Sequence, residues 1–359
     1  MSAAASTDPR TRLKRVLVVR TSAIGDIVFA SPIASALRRT FPDAHIAWLV
    51  EAGLEELIAS DPAIDEVIAW PRREWTQRHR DRDYLGLLAA VRAFRRSLRA
   101  RRFDTALDLQ GLFKSGLLAR LSGAKHRIGL GSREGSQLLM TRVIERGGPI
   151  ERISSEYLHF AQALGLDAAE FVPTLFASPQ HAARAQALLS ESGLDGRDYA
   201  VFAPFTTRPQ KHWFDDAWAG LTRMVVAEQI QPVVLGGPAD RAGAAQLVKH
   251  IPDAVNLVGR TSLGEAAALI QRARLVIGVD TGLTHMGLAF KRPTVALFGS
   301  TRPYLDTCHP NAEVIWLGLP CSPCRRRPTC RGAFTCLRDI APEQVMAAVR
   351  RVLAVPAFP

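Results

Sequence analysis

The 359-residue sequence contains no apolar run that approaches the roughly 18 to 20 residues needed to cross a membrane. Its first residues, MSAAASTDPRTR, lack the apolar core of a signal peptide. Two nucleotide-binding signatures are also missing: no G-x-G-x-x-G follows the first strand, and no G-x-x-x-x-G-K-[ST] lies between a strand and a helix. These absences predict a cytoplasmic protein with a short disordered tail at residues 1–12, and they argue against dehydrogenases and P-loop NTPases.

Cysteine is also scarce, with five residues in the whole chain. Four of them lie within sixteen residues, with the spacing C-x2-C-x5-C-x5-C: Cys321, Cys324, Cys330 and Cys336. A secreted disulfide scaffold would distribute its cysteines along the chain, so that class is excluded. Two interpretations stay open. The thiolates could hold a structural zinc ion or an iron–sulfur cluster, or the arginines at 325–327 could lower the thiol pKa values without any metal.

Acidic residues are outnumbered, with 34 Asp and Glu against 46 Lys and Arg, which gives a net charge of +12. This balance favours an anionic partner such as a phosphorylated substrate, a membrane surface or a nucleic acid. The arginines are concentrated between Arg72 and Arg102, where they indicate either a surface for an anionic acceptor at the cytoplasmic leaflet or an ordinary solvated helix. A nucleic acid is disfavoured because aromatic residues make up only 7% of the chain and no binding module is recognisable.

Short apolar runs alternate with segments of helical periodicity in two successive arrays, which predicts an α/β protein with two doubly wound parallel sheets facing each other across a cleft. We assign an N-terminal domain to residues 13–170, a linker to 171–180 and a C-terminal domain to 181–359. The stretch 131–150 loses the pattern among Gly, Arg and Ser and is assigned as a mobile loop. The predicted strands are 16–19, 45–50, 67–69, 105–109, 126–129, 199–203, 232–235, 255–258, 275–279 and 294–298.

The first strand leads directly into the turn Ser22–Gly25 and a helix with Asp26 in its first turn. Ligands of an open parallel sheet bind outside the carboxyl ends of its strands. A carboxylate at that place can remove a proton from an attacking hydroxyl. Asp26 is therefore a candidate general base, and Ser22 and Gly25 are candidates for acceptor binding.

Three loops of the second array also follow apolar strands. In Phe202–Trp213, Thr206, Thr207 and Lys211 offer hydroxyl groups and positive charge suited to a diphosphate; the alternative is an ordinary polar loop. In Gly278–Gly287, Gly282 allows close approach of the backbone to a ligand.

Three further residues of these loops are candidates for donor binding. Thr281 forms a turn with Gly282, and Asp280 could orient a sugar hydroxyl or pair with His285. In Val234–Arg241, Asp240 is either a contact to ribose hydroxyls or a helix cap.

With these residues, the chain resembles the glycosyltransferase family 9 heptosyltransferases, which build the inner core of bacterial lipopolysaccharide. The resemblance runs over nearly the whole chain. It rests on four ordered motifs: RTSAIGDIVFASP, DLQGLFKSGLLAR at Asp108–Arg120, TTRPQKHW at Thr206–Trp213, and VDTGLTHMGLA at Val279–Ala289. The third motif is similar to that of the branch that acts on Kdo-lipid A, whereas the cysteine cluster looks more like other branches.

The resemblance implies a GT-B architecture and inverting transfer of a heptose from ADP-heptose to an anionic lipopolysaccharide inner core, either Kdo-lipid A or a heptosylated core. It implies no cofactor and no required metal, and a peripheral position at the inner membrane. It places the catalytic base at Asp26 and the phosphate contacts at Thr206, Thr207 and Lys211. It places the donor-binding turn at Asp280, Thr281 and Gly282, with His285 beside it and Asp240 near the ribose.

Two other readings remain. A different GT-B nucleotide-sugar transferase or epimerase would share these loops, and a catalytically inactive binding homologue would not need Asp26, Lys211 and Asp280.

Overall fold

The computed structural model describes residues 13–324 and 327–356. The predicted tail at 1–12 lies outside these residues. The chain packs as two units. One comprises the described residues up to Pro149 together with Ser154–Phe171, and the other comprises Ile150–Ile153 and the described residues from Val172 onward.

The first unit contains a six-stranded parallel sheet in the order β3-β2-β1-β4-β5-β6. Its central strand β1 pairs with β2 on one side and β4 on the other, so Val16 lies opposite both Ile46 and Thr105. The strands are β1 (Arg15–Val19), β2 (His45–Glu51), β3 (Glu66–Trp70), β4 (Thr105–Asp108), β5 (His126–Leu130) and β6 (Arg142–Ile144). The α-helices are α1 (Ile24–Ala30), α2 (Pro32–Thr40), α3 (Arg72–Arg80), α4 (Tyr84–Ala100), α5 (Phe113–Leu121) and α6 (Ser155–Ala163).

The second unit repeats this plan in the order β12-β11-β10-β7-β8-β9, again with parallel pairs. Its strands are β7 (Tyr199–Ala203), β8 (Gln231–Val234), β9 (Val255–Asn256), β10 (Leu275–Val279), β11 (Thr294–Phe298) and β12 (Ala312–Trp316). Its helices are α7 (Pro179–Glu191), α8 (Asp215–Ala227), α9 (Arg241–His250), α10 (Leu263–Arg272), α11 (Gly282–Ala289), α12 (Thr335–Arg338) and α13 (Pro342–Ala354). The strand order of both units is that of a dinucleotide-binding fold, which confirms the predicted α/β class.

Helices cover both faces of each sheet, and this explains the continuous apolar runs in the sequence. Every residue of β7, β10 and β11 is buried, as are Val16–Val19 of β1. In both sheets the strand order reverses between two central strands, β1 and β4 in the first and β7 and β10 in the second. Such reversal points open a crevice at the carboxyl ends of the strands, where ligands bind in this class of fold.

Several predictions of local structure were wrong. The segment 131–150 is not simply a loop, because it contains a 3-10 helix at Ser136–Leu139 and the edge strand β6. Between β2 and β3 the chain forms only the short 3-10 turn Glu55–Leu57. The first helix is broken at Ser31, where Pro32 lacks the amide hydrogen that would continue α1 and instead begins α2. Helix α3, strand β12 and the C-terminal helices were not predicted.

In the described part of the chain, no helix is both long enough and apolar enough to span a membrane.

Candidate active site

Asp26 is the third residue of α1, which begins after a four-residue connection, residues 20–23, from the buried strand β1. Its Oδ2 accepts a hydrogen bond of 3.1 Å from the backbone N–H of Ala23. A carboxylate in the first helical turn also interacts favourably with the helix dipole. Nearly half of the side chain, 45%, stays exposed, so a ligand can reach it. Ser22 and Gly25 both precede this carboxylate in the chain, with Ser22 partly buried before the helix and Gly25 within its first turn.

Arg20 is the closest charged partner of Asp26, and the sequence analysis did not identify it. Its Nη2 lies 2.7 Å from Asp26 Oδ2, and its side chain is only 8% exposed. The guanidinium also lies over the ring of Tyr157, 6.0 Å from the centroid. A buried arginine that stays charged at every relevant pH therefore holds the carboxylate in one position.

The connection after β4 packs beside this ion pair. Gln110 Oε1 accepts two hydrogen bonds from Thr21, one from the hydroxyl at 2.7 Å and one from the backbone N–H of Thr21 at 3.2 Å. Arg146 donates to the carbonyl of Gln110 and forms an ion pair with Glu156. These bonds join the connections after β1 and β4, the two strands at the reversal point.

In the second unit, Lys211 lies in a 3-10 turn, Pro209–Lys211, within the connection that follows β7. Its Nζ lies 2.8 Å from Asp280 Oδ2, with both side chains about one-sixth exposed, at 16% and 15%. The connection is fixed at two places. His212 Nε2 bonds the carbonyl of Thr206 at 2.9 Å, and buried Trp213 donates its indole N–H to the carbonyl of Ile340 at 3.1 Å. Thr206 is partly buried and Thr207 is exposed.

Asp280 follows β10, the neighbour of β7 in the sheet, and has three side-chain partners. Oδ1 is 3.1 Å from His285 Nε2, while Oδ2 contacts Lys211 and accepts a bond of 2.5 Å from the hydroxyl of Thr301. The predicted pairing of Asp280 with His285 is therefore confirmed. Burial alone would raise the pKa of Asp280, but the hydrogen bond from His285 and the ammonium of Lys211 lower it by more, so its pKa lies well below the usual range.

Helix α11 begins next to this carboxylate, with Thr281 as its N-cap and Gly282 as its first residue. The helix lies close to the sheet because Gly278 in β10 has no side chain. A Cβ there would lie 2.2 Å from the Thr284 hydroxyl and 2.7 Å from the Ala203 Cβ. The first amides of α11 follow Asp280 directly in the chain, and Asp280 contacts Lys211, an arrangement that suits an anionic oxygen.

Asp240 lies apart from this network, in the connection that follows β8. Its Oδ2 accepts a hydrogen bond of 2.8 Å from the backbone N–H of Gly237, at the start of the 3-10 turn Pro238–Asp240. Asp240 occupies the N-cap position of α9, but its side chain makes no cap hydrogen bond to that helix. A contact to ribose stays a prediction.

Comparison with known proteins identifies the family to which these sites belong. Residues 91–334 match the family model of glycosyltransferase family 9 (heptosyltransferase). The chain belongs to glycosyltransferase family 9. Lipopolysaccharide heptosyltransferase 1 of Pseudomonas aeruginosa is 30% identical over 326 residues, covering 88% of this chain and 87% of that protein. Lipopolysaccharide heptosyltransferase 2 of Salmonella typhimurium is 26% identical over 358 residues, covering 95% and 99%.

The solved structure of E. coli heptosyltransferase WaaC with ADP-2-deoxy-2-fluoro heptose superposes on this chain with a TM-score of 0.70 and 26% identity, covering 94% of this chain and 99% of that one. The GT-B fold and a glycosyltransferase activity expected from the sequence are thereby confirmed. The chain is a family 9 enzyme with two Rossmann-like units.

The family 9 chain gathers its predicted residues into two groups. Asp280 contacts both Lys211 and His285 directly, and Thr281 and Gly282 follow it in the chain. Asp26 belongs to the first unit, where its partner is Arg20. Sequence reasoning missed Arg20, Thr301 and Tyr304. A weak signal existed for Arg20, since a charged residue directly after the apolar run Val16–Val19 has to find a buried partner.

The four clustered cysteines of this family 9 enzyme are all free thiols that line one small cavity, together with Gln210 and Ser300. Burial and the neighbouring thiols raise the pKa of Cys336 to about 11, whereas backbone N–H groups, chiefly that of Phe334, lower the pKa of Cys330. Among the described residues, no three His, Cys, Asp or Glu side chains are arranged to hold a metal ion. The arginines at 325 and 326 lie outside the described residues, and both alternatives for the cysteine cluster stay predictions.

Proposed function

We propose that this enzyme transfers a heptose from ADP-heptose to the Kdo-lipid A inner core of lipopolysaccharide, with inversion and without a required metal, at the cytoplasmic face of the inner membrane. The observation that carries the proposal is the network of Lys211, Asp280 and the first turn of α11. In this network a cation contacts the carboxylate that directly precedes the first turn of α11. The relative E. coli heptosyltransferase WaaC has the same fold and was solved with ADP-2-deoxy-2-fluoro heptose. The acceptor assignment is supported by the higher identity to heptosyltransferase 1, at 30%, than to heptosyltransferase 2, at 26%.

The division of labour follows from charge. Inverting transfer requires one displacement in which the acceptor hydroxyl loses a proton while the nucleoside diphosphate leaves as an anion. Lys211, the hydroxyls of Thr206 and Thr207, and the amides of α11 would stabilise the charge that grows on the leaving diphosphate. The second unit therefore binds the donor, with Asp240 as a candidate for the ribose, and the first unit, with Ser22 and Gly25, binds the acceptor.

The choice of general base lies between two carboxylates. Asp280 is a poor proton acceptor because both oxygens are already bonded and its pKa is held well below the usual range. Asp26 has its described contacts on Oδ2 alone, with Arg20 and Ala23, and its side chain is 45% exposed. Asp26 therefore receives the acceptor proton.

The test is the substitution Asp26→Asn, which retains the shape but not the basicity. We expect the transfer rate to fall by about 10²- to 10⁴-fold, with ADP affinity unchanged by isothermal titration calorimetry. Asp65→Asn is the matched control, because Asp65 also pairs with an arginine at 2.7 Å and is similarly exposed, at 39%, but lies before β3 at the opposite end of the sheet. Turnover of Asp26→Asn at the level of Asp65→Asn would exclude Asp26 as the base. Kdo-lipid A and its heptosylated form, offered separately, test the acceptor.

Association with the membrane surface is supported by one face of α4. Its exposed residues combine an apolar end with a basic end along a single helical stripe: Leu85, Leu88, Arg92, Arg95, Arg96 and Arg99. Anionic lipids attract each such arginine by about 1 kcal/mol. We expect cosedimentation with anionic but not neutral vesicles, reduced by the pair Arg92→Gln and Arg96→Gln and retained by the control pair Arg197→Gln and Arg223→Gln. Equal binding to both kinds of vesicle would contradict this surface role.

A further inference from the structure

The connection after β11 supplies two hydroxyl groups to the Asp280 network. Thr301 donates to Asp280 Oδ2 at 2.5 Å, and the Tyr304 hydroxyl lies 2.7 Å from His285 Nδ1. Tyr304 is 8% exposed, and its ring makes edge contacts with His285 and Phe298 at centroid distances of 5.5 and 5.2 Å. A phenol thus lies behind the histidine, on the side opposite Asp280.

The hydrogen bonds that link Tyr304, His285 and Asp280 run in one direction. Burial, together with the charge of Asp280, raises the pKa of Tyr304 well above its usual value, so the phenol keeps its proton and can donate it. If Tyr304 donates to Nδ1, a neutral His285 must carry its proton on Nε2, and that N–H donates to Asp280 Oδ1.

We propose that Tyr304 is a positioning residue for the donor site: it fixes the Nε2–H tautomer of His285, which orients Asp280 and through it the ammonium of Lys211. The proposal rests on the proposed donor-binding role of Lys211. His285 then acts on the donor through Asp280, because it is only 3% exposed and both ring nitrogens have protein partners. Lys211 is then the cation that Asp280 shares with an incoming diphosphate.

The contacts of Asp280 explain why a fixed tautomer of His285 matters for the donor site. Asp280 reaches Lys211 across two adjacent strands, and Thr301 and Lys211 both bind Oδ2. Within the described residues, the hydrogen bond from His285 is the one contact that holds Oδ1. If the imidazole turned or changed tautomer, the carboxylate could rotate and carry Lys211 with it. Tyr304 prevents this rotation without touching the donor.

The experiment compares Tyr304→Phe with Tyr199→Phe. Tyr199 is a buried tyrosine of the same unit, 4% exposed, whose hydroxyl donates to the carbonyl of Leu269 at 2.6 Å, so it controls for the loss of a buried phenol bond. Both variants keep their rings. We expect Tyr304→Phe to weaken ADP binding and to lower kcat/KM for the donor by about 5- to 30-fold, as for one lost hydrogen bond in a charged network, while Tyr199→Phe changes neither. Thr301→Val should likewise weaken ADP binding, whereas Thr301→Ser, which keeps the hydroxyl, should bind ADP like the wild type.

A second readout does not depend on the identity of the donor. In ¹⁵N-correlated NMR spectra of the whole protein, with the signal assigned by its loss in His285→Gln, we expect the Nε2–H tautomer in the wild type and in Tyr199→Phe, and a mixture of states in Tyr304→Phe. An unchanged tautomer in Tyr304→Phe, or ADP affinity equal to that of Tyr199→Phe, would overturn the proposal. Failure of the wild type to use ADP-heptose would overturn the donor assignment but leave the tautomer result to stand or fall separately.

Discussion

Removing the positive charge of Lys211 should damage stability and catalysis separately, and a double substitution can distinguish the two effects. In Lys211→Met the carboxylate of Asp280, which is 15% exposed, loses a partner 2.8 Å away. Breaking a buried ion pair from one side costs about 3–5 kcal/mol, and we expect the lower end because His285 and Thr301 still donate to the carboxylate. About 3 kcal/mol corresponds to a decrease in Tm of roughly 6–12 °C for a domain of this size.

The second substitution, Asp280→Asn, removes the carboxylate charge left unpaired by the first. The double variant Lys211→Met/Asp280→Asn should therefore recover most of the lost stability, giving a favourable coupling free energy of about 2 kcal/mol in a double-mutant cycle. Activity should not recover, because the leaving diphosphate still lacks its cation. Loss of one such electrostatic contact typically lowers kcat by about 10²- to 10³-fold.

Two measurements check this reasoning, thermal unfolding and the rate of ADP release with donor and acceptor both saturating. If the double variant regained kcat together with its Tm, Lys211 would serve only to neutralise Asp280, which would contradict the catalytic role. If Lys211→Met unfolded at the wild-type temperature, the ion pair would contribute nothing to stability, which would contradict the stability estimate.

Three further outcomes follow from individual residues. Burial raises the pKa of Asp61 to about 6. The free energy of unfolding should therefore decrease by up to about 3 kcal/mol as the pH rises from about 4 through 6, because the folded protein has to ionise a buried carboxyl group. Asp61→Asn should raise Tm at pH 8 and have little effect at pH 4.5. Gly278→Ala should lower the unfolding free energy by about 1–3 kcal/mol, whereas Gly237→Ala, whose Cβ would meet nothing closer than 3.6 Å, should be nearly neutral in urea titrations. Arg20→Met should lower kcat about tenfold without changing the Kd for ADP, because it releases the Asp26 carboxylate from its fixed position; an unchanged kcat would show that the ion pair has no catalytic role.

The sequence was informative wherever a buried parallel strand leads into a polar connection. The runs before Asp26 and Asp280 are apolar on both faces, so both ends could be located and their carboxylates placed at the carboxyl edge. The same signal failed for β6, because three residues, Arg142–Ile144, carry too little periodicity to stand out among Gly, Arg and Ser.

The missed partners share a different cause. Thr301 and Tyr304 reach Asp280 and His285 from the connection after the next strand, and no local pattern marks a hydroxyl that bonds a residue about twenty positions away. Arg20 precedes Asp26 by only six positions, but its burial became apparent only once Tyr157 was placed beside it. Motif spacing therefore locates the residues at strand ends, whereas the contacts that orient them depend on strand order.

The hydrogen bond from Trp213 to the carbonyl of Ile340 has a practical consequence for anyone preparing shortened or fused forms of this enzyme. Ile340 lies two residues before the C-terminal helix α13, which packs on α8 and β11 and carries none of the candidate ligand residues. A protein engineer trimming the chain to its motifs would stop well before it and would expect a working donor half. Such a fragment would lose the Trp213–Ile340 hydrogen bond that fixes one end of the connection carrying Lys211. Shortened forms should therefore keep the chain at least to residue 354, with any affinity tag placed after it.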